Sequence, residues 1–241
     1  MEKLLIFDFD GVIVDSIDVY EGTVTRCLEE IGQPIINNRE DFLALFDDNF
    51  YESLVSRGVN LDAFLEASVE ILAGVNYAEI KPYDDLLPVL RRLKADNILI
   101  IISSSDTEII NGIMNLSNLM GCFQDVLGSD VNLSKQEKIL LALDKFNIAK
   151  ESTYYIGDTT GDIKEAKAVG IRTLAVTWGW HSREKLVAVH PDYVIDRPEE
   201  LLKIYVPAKA GSLRHKVMLF FALCLCAFAT LCLSQGFCPN K

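Results

Sequence analysis

Cysteine is scarce in most of this chain, because the first 206 of its 241 residues contain only Cys27 and Cys122. The last 18 residues contain the other four, Cys224, Cys226, Cys232 and Cys238. This distribution is neither a disulfide framework nor a zinc-binding spacing. The charged N-terminus, MEKLLIFDFD, also lacks an apolar signal region. We therefore expect the main body of the protein to lie in a reducing cytoplasm.

Basic residues are also few. The chain has 23 Lys and Arg against 35 Asp and Glu, which gives a net charge of −12. The last 35 residues hold four basic residues and no acidic one, which leaves the first 206 residues at −16. So acidic a body repels the phosphates of nucleic acid, and no basic stripe offsets the repulsion. We expect no nucleic-acid partner, and a phosphate site would need a cation or clustered amide donors.

Short apolar runs alternate with helical periodicity over most of the chain. Buried strands are predicted at residues 3–9, 98–102, 125–128, 153–156, 173–176 and 193–195. Between residues 16 and 81 the pattern is helical only, with apolar residues three and four positions apart. The alternation predicts an α/β core, a Rossmann-like doubly wound parallel sheet built from residues 1–15 and 82–206. Residues 16–81 are expected to form an inserted all-α domain.

The C-terminal segment differs in composition from the rest. Residues 217–233 form an uncharged apolar run, which can be extended to residue 237. At 1.5 Å per residue, a helix of this run reaches about 25 Å, near the lower limit for crossing a bilayer. We expect a linker at residues 207–216 and a hydrophobic transmembrane helix at 217–237, with the preceding basic residues keeping the body in the cytoplasm. A helix packed on the body, self-association, or an extension without a role in activity are the alternatives.

Acidic residues follow two of the predicted strands. Asp8 and Asp10 are two residues apart at the end of the first strand, so an extended backbone directs both carboxylates to one side. Asp158 and Asp162 follow the fourth strand, where the chain enters a helix. The alternatives are a solvated acidic turn and a pair of helix caps. Four carboxylates in one crevice repel each other unless a cation lies among them, and Mg²⁺ suits oxygen ligands and a substrate phosphate.

Hydroxyl and basic side chains are available near the same edge of the predicted sheet. The strand after the helical region ends at Ser103, Ser104 and Ser105, whose hydroxyl groups are suited to phosphoryl oxygens. A serine-rich turn that caps the next helix is the alternative. Lys135 or Lys138 would neutralise the remaining negative charge, although both suit a solvated first turn of a helix equally well.

These segments resemble the haloacid dehalogenase superfamily, specifically its phosphoglycolate phosphatase-like hydrolases with a helical C1-type cap. DFDGVIVDS matches the first motif of that family, Ser103 the second, Lys135 the third and IGDTTGDIKEAKAVGI the fourth. The resemblance covers roughly residues 3–205. Two departures are visible: Gln136 replaces a proline that often follows the lysine of the third motif, and Ser104 replaces a frequent asparagine. The first departure leaves the assignment of the lysine open.

The resemblance implies a role for each matched residue. Asp8 is expected to be the nucleophile that forms an aspartyl-phosphate, and Asp10 the general acid and base. Mg²⁺ is expected to bind the carboxylates of Asp8 and Asp158, the backbone carbonyl of Asp10 and a water positioned by Asp162. The transferring phosphoryl group is expected to bind Ser103, Ser104 and Lys135.

The function that the resemblance implies is a magnesium-dependent phosphatase acting on a small phosphate monoester similar to phosphoglycolate. One alternative is a phosphomutase of the same superfamily, similar to β-phosphoglucomutase. A receiver-like phosphoacceptor domain is a second, although its length and acid spacing do not fit. A membrane-tethered binding protein with an inactive site is a third.

The inserted domain is expected to close over the site and to select the substrate. Arg26, Tyr51 and Arg57 are candidates for binding a substrate anion, although a solvated surface position is favoured for each. The core of this domain is expected to contain Phe42, Leu45 and Phe46.

Overall fold

The computed structural model describes residues 2–205, which form a six-stranded sheet with helices packed against it. The strands are β1 (Leu4–Phe7), β2 (Val14–Asp15), β3 (Lys81–Pro82), β4 (Ile98–Ile102), β5 (Asp125–Leu127), β6 (Thr153–Gly157), β7 (Arg172–Val176) and β8 (Tyr193–Ile195). The helices are α1 (Ile17–Glu30), α2 (Arg39–Leu43), α3 (Phe50–Ser56), α4 (Leu61–Ala73), α5 (Leu86–Leu93), α6 (Thr107–Leu116), α7 (Lys135–Phe146), α8 (Thr160–Val169), α9 (Arg183–Ala188) and α10 (Glu200–Tyr205).

The large sheet is parallel and has the strand order β5-β4-β1-β6-β7-β8. The chain adds β4 and β5 on one side of β1 and then crosses over to add β6, β7 and β8 on the other side. Strand order therefore reverses beside β1, and ligand sites in such sheets form beyond the carboxyl ends of the strands at this reversal. The parallel α/β sheet predicted from the sequence is confirmed.

Both faces of the sheet are buried. Leu5 and Phe7 of β1 belong to one apolar layer, which includes residues of α5, α6 and α10, while Leu4 and Ile6 belong to a second layer with α7 and α8. Successive residues of a strand point to opposite faces, so a strand covered on both sides must be apolar at every position. This requirement explains the uninterrupted sequence LLIF of β1.

A helical insertion, residues 16–81, lies between β2 and β3 and has an apolar core of its own. The buried residues of this core include Val24, Leu28, Phe42, Leu45, Leu54 and Phe64. Trp180, which follows β7, joins the same cluster and packs against Phe42 and Phe46. Phe42 and Leu45 thus occupy the core positions expected for them, whereas Phe46 is only partly buried.

The insertion is connected to the sheet domain through a two-stranded antiparallel pair. Val14 of β2 pairs with Pro82 of β3, and Asp15 pairs with Lys81. The sequence does not predict this pair, because strands of two residues carry no measurable alternation of apolar and polar positions. This pair holds together the two chain segments that enter and leave the insertion.

The expected linker at residues 207–216 and the expected transmembrane helix at residues 217–237 lie outside the described residues. Within residues 2–205, no helix is both long and apolar enough to span a bilayer. A cytoplasmic location for the body stays a prediction from the sequence.

Candidate active site

Three acidic side chains meet beyond the carboxyl ends of β1 and β6. Asp8 follows β1, Asp158 follows β6, and Asp162 lies in the first turn of α8. All three are buried, and each offers a carboxylate oxygen within 4.8 Å of the others. They converge because β1 and β6 are parallel neighbours that end at the same edge of the sheet. The structure therefore brings together three of the four acids singled out in the sequence.

Asp8 is held by one backbone and one side-chain donor. Its Oδ1 accepts a hydrogen bond from the N–H of Phe9 at 2.7 Å, and its Oδ2 accepts one from Nζ of Lys135 at 3.0 Å. Burial, and to a smaller extent the nearby carboxylates of Asp162 and Asp10, raise the pKa of Asp8 to about 8 against the opposing effect of Lys135. A second cation beside Asp8 would favour its ionised form.

Asp158 is enclosed by backbone that leaves no room for other side chains. Its Oδ2 accepts a hydrogen bond from the N–H of Trp180 at 2.7 Å. A Cβ at Gly11, where φ is +74°, would lie 2.0 Å from that oxygen, and a Cβ at Gly179 would lie 2.3 Å from it. Burial raises the pKa of Asp158 well above its usual range, and Asp162 and Asp8 add to this effect. Glycine at both positions is required for this close approach.

Lys135 bridges two of the three acids. It is the first residue of α7 and lies within the Ser134–Glu137 capping box, and its Nζ is 3.0 Å from Asp8 Oδ2 and 2.5 Å from Asp162 Oδ1. Burial lowers the pKa of Lys135, but Asp162 and Asp8 outweigh it and raise the pKa well above the usual value. Lys135 is therefore a charged lysine inside the site, and not a solvated one.

Lys138 is also buried but has a different partner. Its Nζ donates to the backbone carbonyl of Ser103 at 3.2 Å. Burial lowers the pKa of Lys138, and the positive charge of Lys135 lowers it further. The alternative of a solvated first-turn lysine therefore does not hold at this position either.

The three acids fit a hard divalent cation. Oδ1 of Asp158 is buried and finds no hydrogen-bond partner within residues 2–205, so one oxygen of the cluster lacks a donor. Carboxylate oxygens are the ligands that Mg²⁺ prefers, and such a charge would offset the mutual repulsion of Asp8, Asp158 and Asp162.

The carboxylate of Asp10 belongs to a separate hydrogen-bond network. Its Oδ1 accepts from the hydroxyl of Ser16 at 2.8 Å, and its Oδ2 accepts from the hydroxyl of Ser105 at 2.6 Å. The Tyr20 hydroxyl forms a hydrogen bond with Ser105. Burial raises the pKa of Asp10, and the bonds from Ser105 and Ser16 oppose that shift.

The sequence does not identify these partners of Asp10. Ser16 lies six residues after Asp10 in the same motif, and this short separation is the sequence signal that could indicate the contact. The sequence predicts that Ser105 binds a phosphoryl oxygen or that Ser105 or Asp106 caps the next helix, and in the structure Asp106 caps α6 by accepting from the N–H of Glu108. No sequence signal connects Tyr20 to this site.

The serines after β4 occupy two different environments. Ser103 is buried, and its hydroxyl accepts a hydrogen bond from the N–H of Ser105 at 3.1 Å. Ser104 is exposed at the rim. Both line the same cavity as Asp8 and Lys135, so the structure places these four candidates together.

The cavity of about 210 Å³ lies between the sheet domain and the helical insertion. Tyr51 lines it, as do Tyr20, Phe46 and further residues of α1, α3 and α4. Arg26 is exposed on α1, and Arg57 donates to the carbonyl of Ala44. Of the three candidates for binding a substrate anion, only Tyr51 therefore faces the cavity.

Comparisons with known proteins agree with this geometry. The sequence matches the haloacid dehalogenase-like hydrolase family over residues 5–176. A phosphoglycolate phosphatase from Synechococcus elongatus is 26% identical over 206 residues, covering 83% of this chain and 96% of the relative. A pyrophosphatase from Listeria innocua is 28% identical over 208 residues, covering 83% and 94%.

Solved structures share the fold. A crystal structure of a predicted phosphatase from Clostridium acetobutylicum matches with a TM-score of 0.75 and 21% identity, covering 86% of this chain and 100% of that chain. A haloacid dehalogenase-like hydrolase from Streptococcus pneumoniae matches with a TM-score of 0.72 and 23% identity, covering 85% and 98%. Because the family match extends over more than half of its residues, the chain belongs to the haloacid dehalogenase-like hydrolase family.

Proposed function

We propose that the protein is a magnesium-dependent phosphatase that hydrolyses a small phosphate monoester through an aspartyl-phosphate. The observation that carries this proposal is the position of Asp8 at the end of β1, bonded to Lys135 and within 4.8 Å of Asp158 and Asp162. Asp8 lines a cavity that is large enough for a small ester. The phosphatase names of its relatives support the same class of reaction.

Asp8 acts as the nucleophile. A carboxylate oxygen of Asp8 forms a bond to phosphorus while the bond between phosphorus and the alcohol oxygen breaks, and the product is a mixed anhydride. Lys135 stabilises the negative charge that develops on the phosphoryl oxygens, and the hydroxyl groups of Ser103 and Ser104 hydrogen-bond to the same oxygens. Hydrolysis of the anhydride then returns Asp8 to its free form.

Asp10 moves the protons. In its protonated form it donates a proton to the departing alcohol, and its carboxylate then accepts a proton from the water that attacks phosphorus. The hydroxyl groups of Ser16 and Ser105 hold the two oxygens of Asp10 in place. One residue thus serves both halves of the reaction.

Asp8, Asp158 and Asp162, together with the backbone carbonyl of Asp10, would hold Mg²⁺. A bound divalent ion supplies positive charge between the carboxylates and the phosphoryl group. The hydrogen bonds from Lys135 and Thr159 orient Asp162, and the N–H of Trp180 orients Asp158. The donor set is therefore fixed by the chain itself.

The helical insertion, residues 16–81, serves as a cap over the core formed by residues 1–15 and 82–206. It contacts the edge that carries the acids, since the hydroxyl of Thr160 donates to the carbonyl of Asp47 and Lys164 bonds to Asp48. As a cap it encloses the substrate and excludes water during phosphoryl transfer.

Phosphate release from a panel of small phosphate esters tests the proposal. We expect release with Mg²⁺ and none with a chelator, and we expect Asp8→Asn to lower the rate by roughly 10³-fold or more. Asp84→Asn, the same change at an exposed acid, is the matched control and should keep the wild-type rate. Isomerised ester without free phosphate would indicate a mutase, and undiminished activity of Asp8→Asn would contradict the mechanism.

A further inference from the structure

One part of the lining of the cavity that contains Asp8 is apolar and largely aromatic, and it is called the wall below. It contains Phe46, Phe50, Phe64, Leu65, Leu72 and Trp180. The rings of Phe46 and Phe50 stack with centroids 5.1 Å apart, and those of Phe46 and Trp180 meet edge to face at 4.8 Å. This part of the site offers dispersion contacts and an apolar surface to whatever carries the phosphate.

The cations of the helical insertion are positioned away from this wall. The insertion contains thirteen acidic residues and four basic ones, Arg26, Arg39, Arg57 and Lys81. Arg39 pairs with Asp18 and Glu21. Arg57 and Lys81 donate to backbone carbonyls, and Arg26 is exposed. A negative group on the substrate beyond its phosphate would therefore meet an acidic domain without a cation directed at it.

The lysine and two of the hydroxyl groups of the cavity are already engaged within the protein. Lys135, the cation that lines it among residues 2–205, is bonded to Asp8 and Asp162. The hydroxyl of Thr23 donates to the carbonyl of Val19, and that of Ser68 donates to the carbonyl of Leu65, each at 2.7 Å. A substrate carboxylate would lose its hydration here and would meet neutral hydroxyl donors such as Tyr51, but no cation beyond Lys135 among residues 2–205.

From this lining we infer that the alcohol part of the substrate is uncharged and mainly apolar, as in a benzyl or branched alkyl phosphate. The inference rests on the proposed phosphatase function and narrows its substrate class. It sets this protein apart from a relative that acts on phosphoglycolate, whose leaving group carries a carboxylate. Relatives of similar identity already differ in their substrates, since one is named a phosphoglycolate phosphatase and another a pyrophosphatase.

The kcat/KM values of three esters test the inference in the native protein with Mg²⁺. Benzyl phosphate supplies an apolar group, phosphoglycolate a charged one, and the phosphate ester of glycolamide a neutral group of nearly the same size as glycolate. We expect benzyl phosphate to exceed phosphoglycolate by about tenfold or more, because a buried charge without a partner is costly, with the amide between them. Phosphoglycolate as the best of the three would overturn the inference.

Binding of non-hydrolysable phosphonates separates this inference from the proposed function. Titration calorimetry with benzylphosphonate and with carboxymethylphosphonate needs no turnover. Tighter binding of benzylphosphonate supports the apolar site even if no ester is hydrolysed, in which case only the proposed reaction fails. Tighter binding of carboxymethylphosphonate would contradict the inference while leaving phosphatase activity intact.

Lysine substitutions at two neighbouring residues test whether the lack of a cation inside the cavity disfavours a charged substrate. Ser68 lines the cavity, whereas the next residue, Val69, is 68% exposed. Ser68→Lys should raise the ratio of phosphoglycolate to benzyl phosphate activity by about fivefold or more, since it adds a cation inside the cavity. Val69→Lys adds the same charge outside and should leave the ratio unchanged. An equal change of this activity ratio in both variants would count against the inference. If Ser68→Lys does not fold, the comparison of the three esters in the native protein decides.

Discussion

Lys135 and Lys138 lie three residues apart in α7 and have different partners. The ammonium group of Lys135 donates to the carboxylates of Asp8 and Asp162, whereas that of Lys138 donates to the carbonyl of Ser103. Only Lys135 is therefore placed to oppose the charge of the carboxylates directly. Two residues with the same chemistry in the sequence thus have separate structural roles.

Replacing each lysine by methionine separates these roles. Lys135→Met should lower kcat by roughly 10²-fold or more, because it removes the positive charge that offsets the negative charge developing on the phosphoryl oxygens. Lys138→Met removes a bond to a carbonyl and should lower kcat much less. Steady-state phosphate release measures both, and a larger loss in Lys138→Met would reverse the assignment of the phosphate-binding lysine.

The candidate site could be predicted from the sequence only where local spacing carries the information. The positions of Asp8 and Asp158 follow from two strands that end at the same edge of a parallel sheet. Trp180, whose N–H binds Asp158, lies 22 residues further along the chain, and the sequence around it does not indicate this hydrogen bond. Such contacts depend on how a loop packs after β7, which apolar periodicity does not encode.

At the level of elements, the N-terminus of α8 connects stability to the site. Thr159 caps this helix, since its hydroxyl accepts from the N–H of Asp162 at 3.2 Å and donates to Oδ2 of Asp162 at 2.7 Å. The cap therefore holds an acid of the proposed metal site in place. Helix α9 has a simpler cap, in which Ser182 accepts from the N–H of Lys185 at 3.4 Å.

Alanine substitutions at the two caps should differ in their cost. Thr159→Ala should lower the free energy of unfolding by about 1–2 kcal/mol, since it loses a buried cap and a bond to a carboxylate. Ser182→Ala should cost less, because its capping bond is long and exposed. Urea denaturation followed by circular dichroism gives both values, and equal losses would show that the bond to Asp162 contributes little.

The strands of the large sheet were predictable from the sequence, including the three-residue strands β5 and β8, whereas the two-residue strands and the 3₁₀ segments were not. Strand β4 was predicted with its observed ends, and β6 was predicted one residue short, because buried parallel strands form continuous apolar runs. The pair β2 and β3 and the short 3₁₀ segments, such as Ala44–Phe46, carry no such pattern. Their conformation depends on tertiary contacts.

At the scale of the whole described molecule, His181 connects the helical insertion to the sheet domain. Its Nδ1 accepts from the N–H of Thr160 at 3.0 Å, and its Nε2 lies 3.0 Å from the carbonyl of Leu43 in the insertion. An accepting Nδ1 requires a neutral ring with the proton on Nε2. Burial lowers the pKa of His181 below its ordinary value of 6.5.

Stability should therefore decrease in acid through His181. The unfolded chain binds a proton on this ring below its ordinary pKa, whereas the folded ring resists protonation, so unfolding takes up a proton and the free energy of unfolding falls as pH drops below about 6.5. In urea denaturation from pH 7.5 to pH 5, the wild type should lose stability relative to His181→Asn, because the other titrating groups are common to both proteins. Parallel curves for the two proteins would show that His181 does not contribute.

Mapping the phosphoryl group in acid-quenched enzyme tests the central claim most directly. Wild-type protein is mixed with Mg²⁺ and a hydrolysed ester, quenched within the first turnover, and digested for mass spectrometry. We expect a phosphoryl adduct, labile to hydroxylamine, on the peptide that contains Asp8 and none in Asp8→Asn. The account would be contradicted if the enzyme releases phosphate and no adduct forms on Asp8. It would also be contradicted if the adduct forms on another residue.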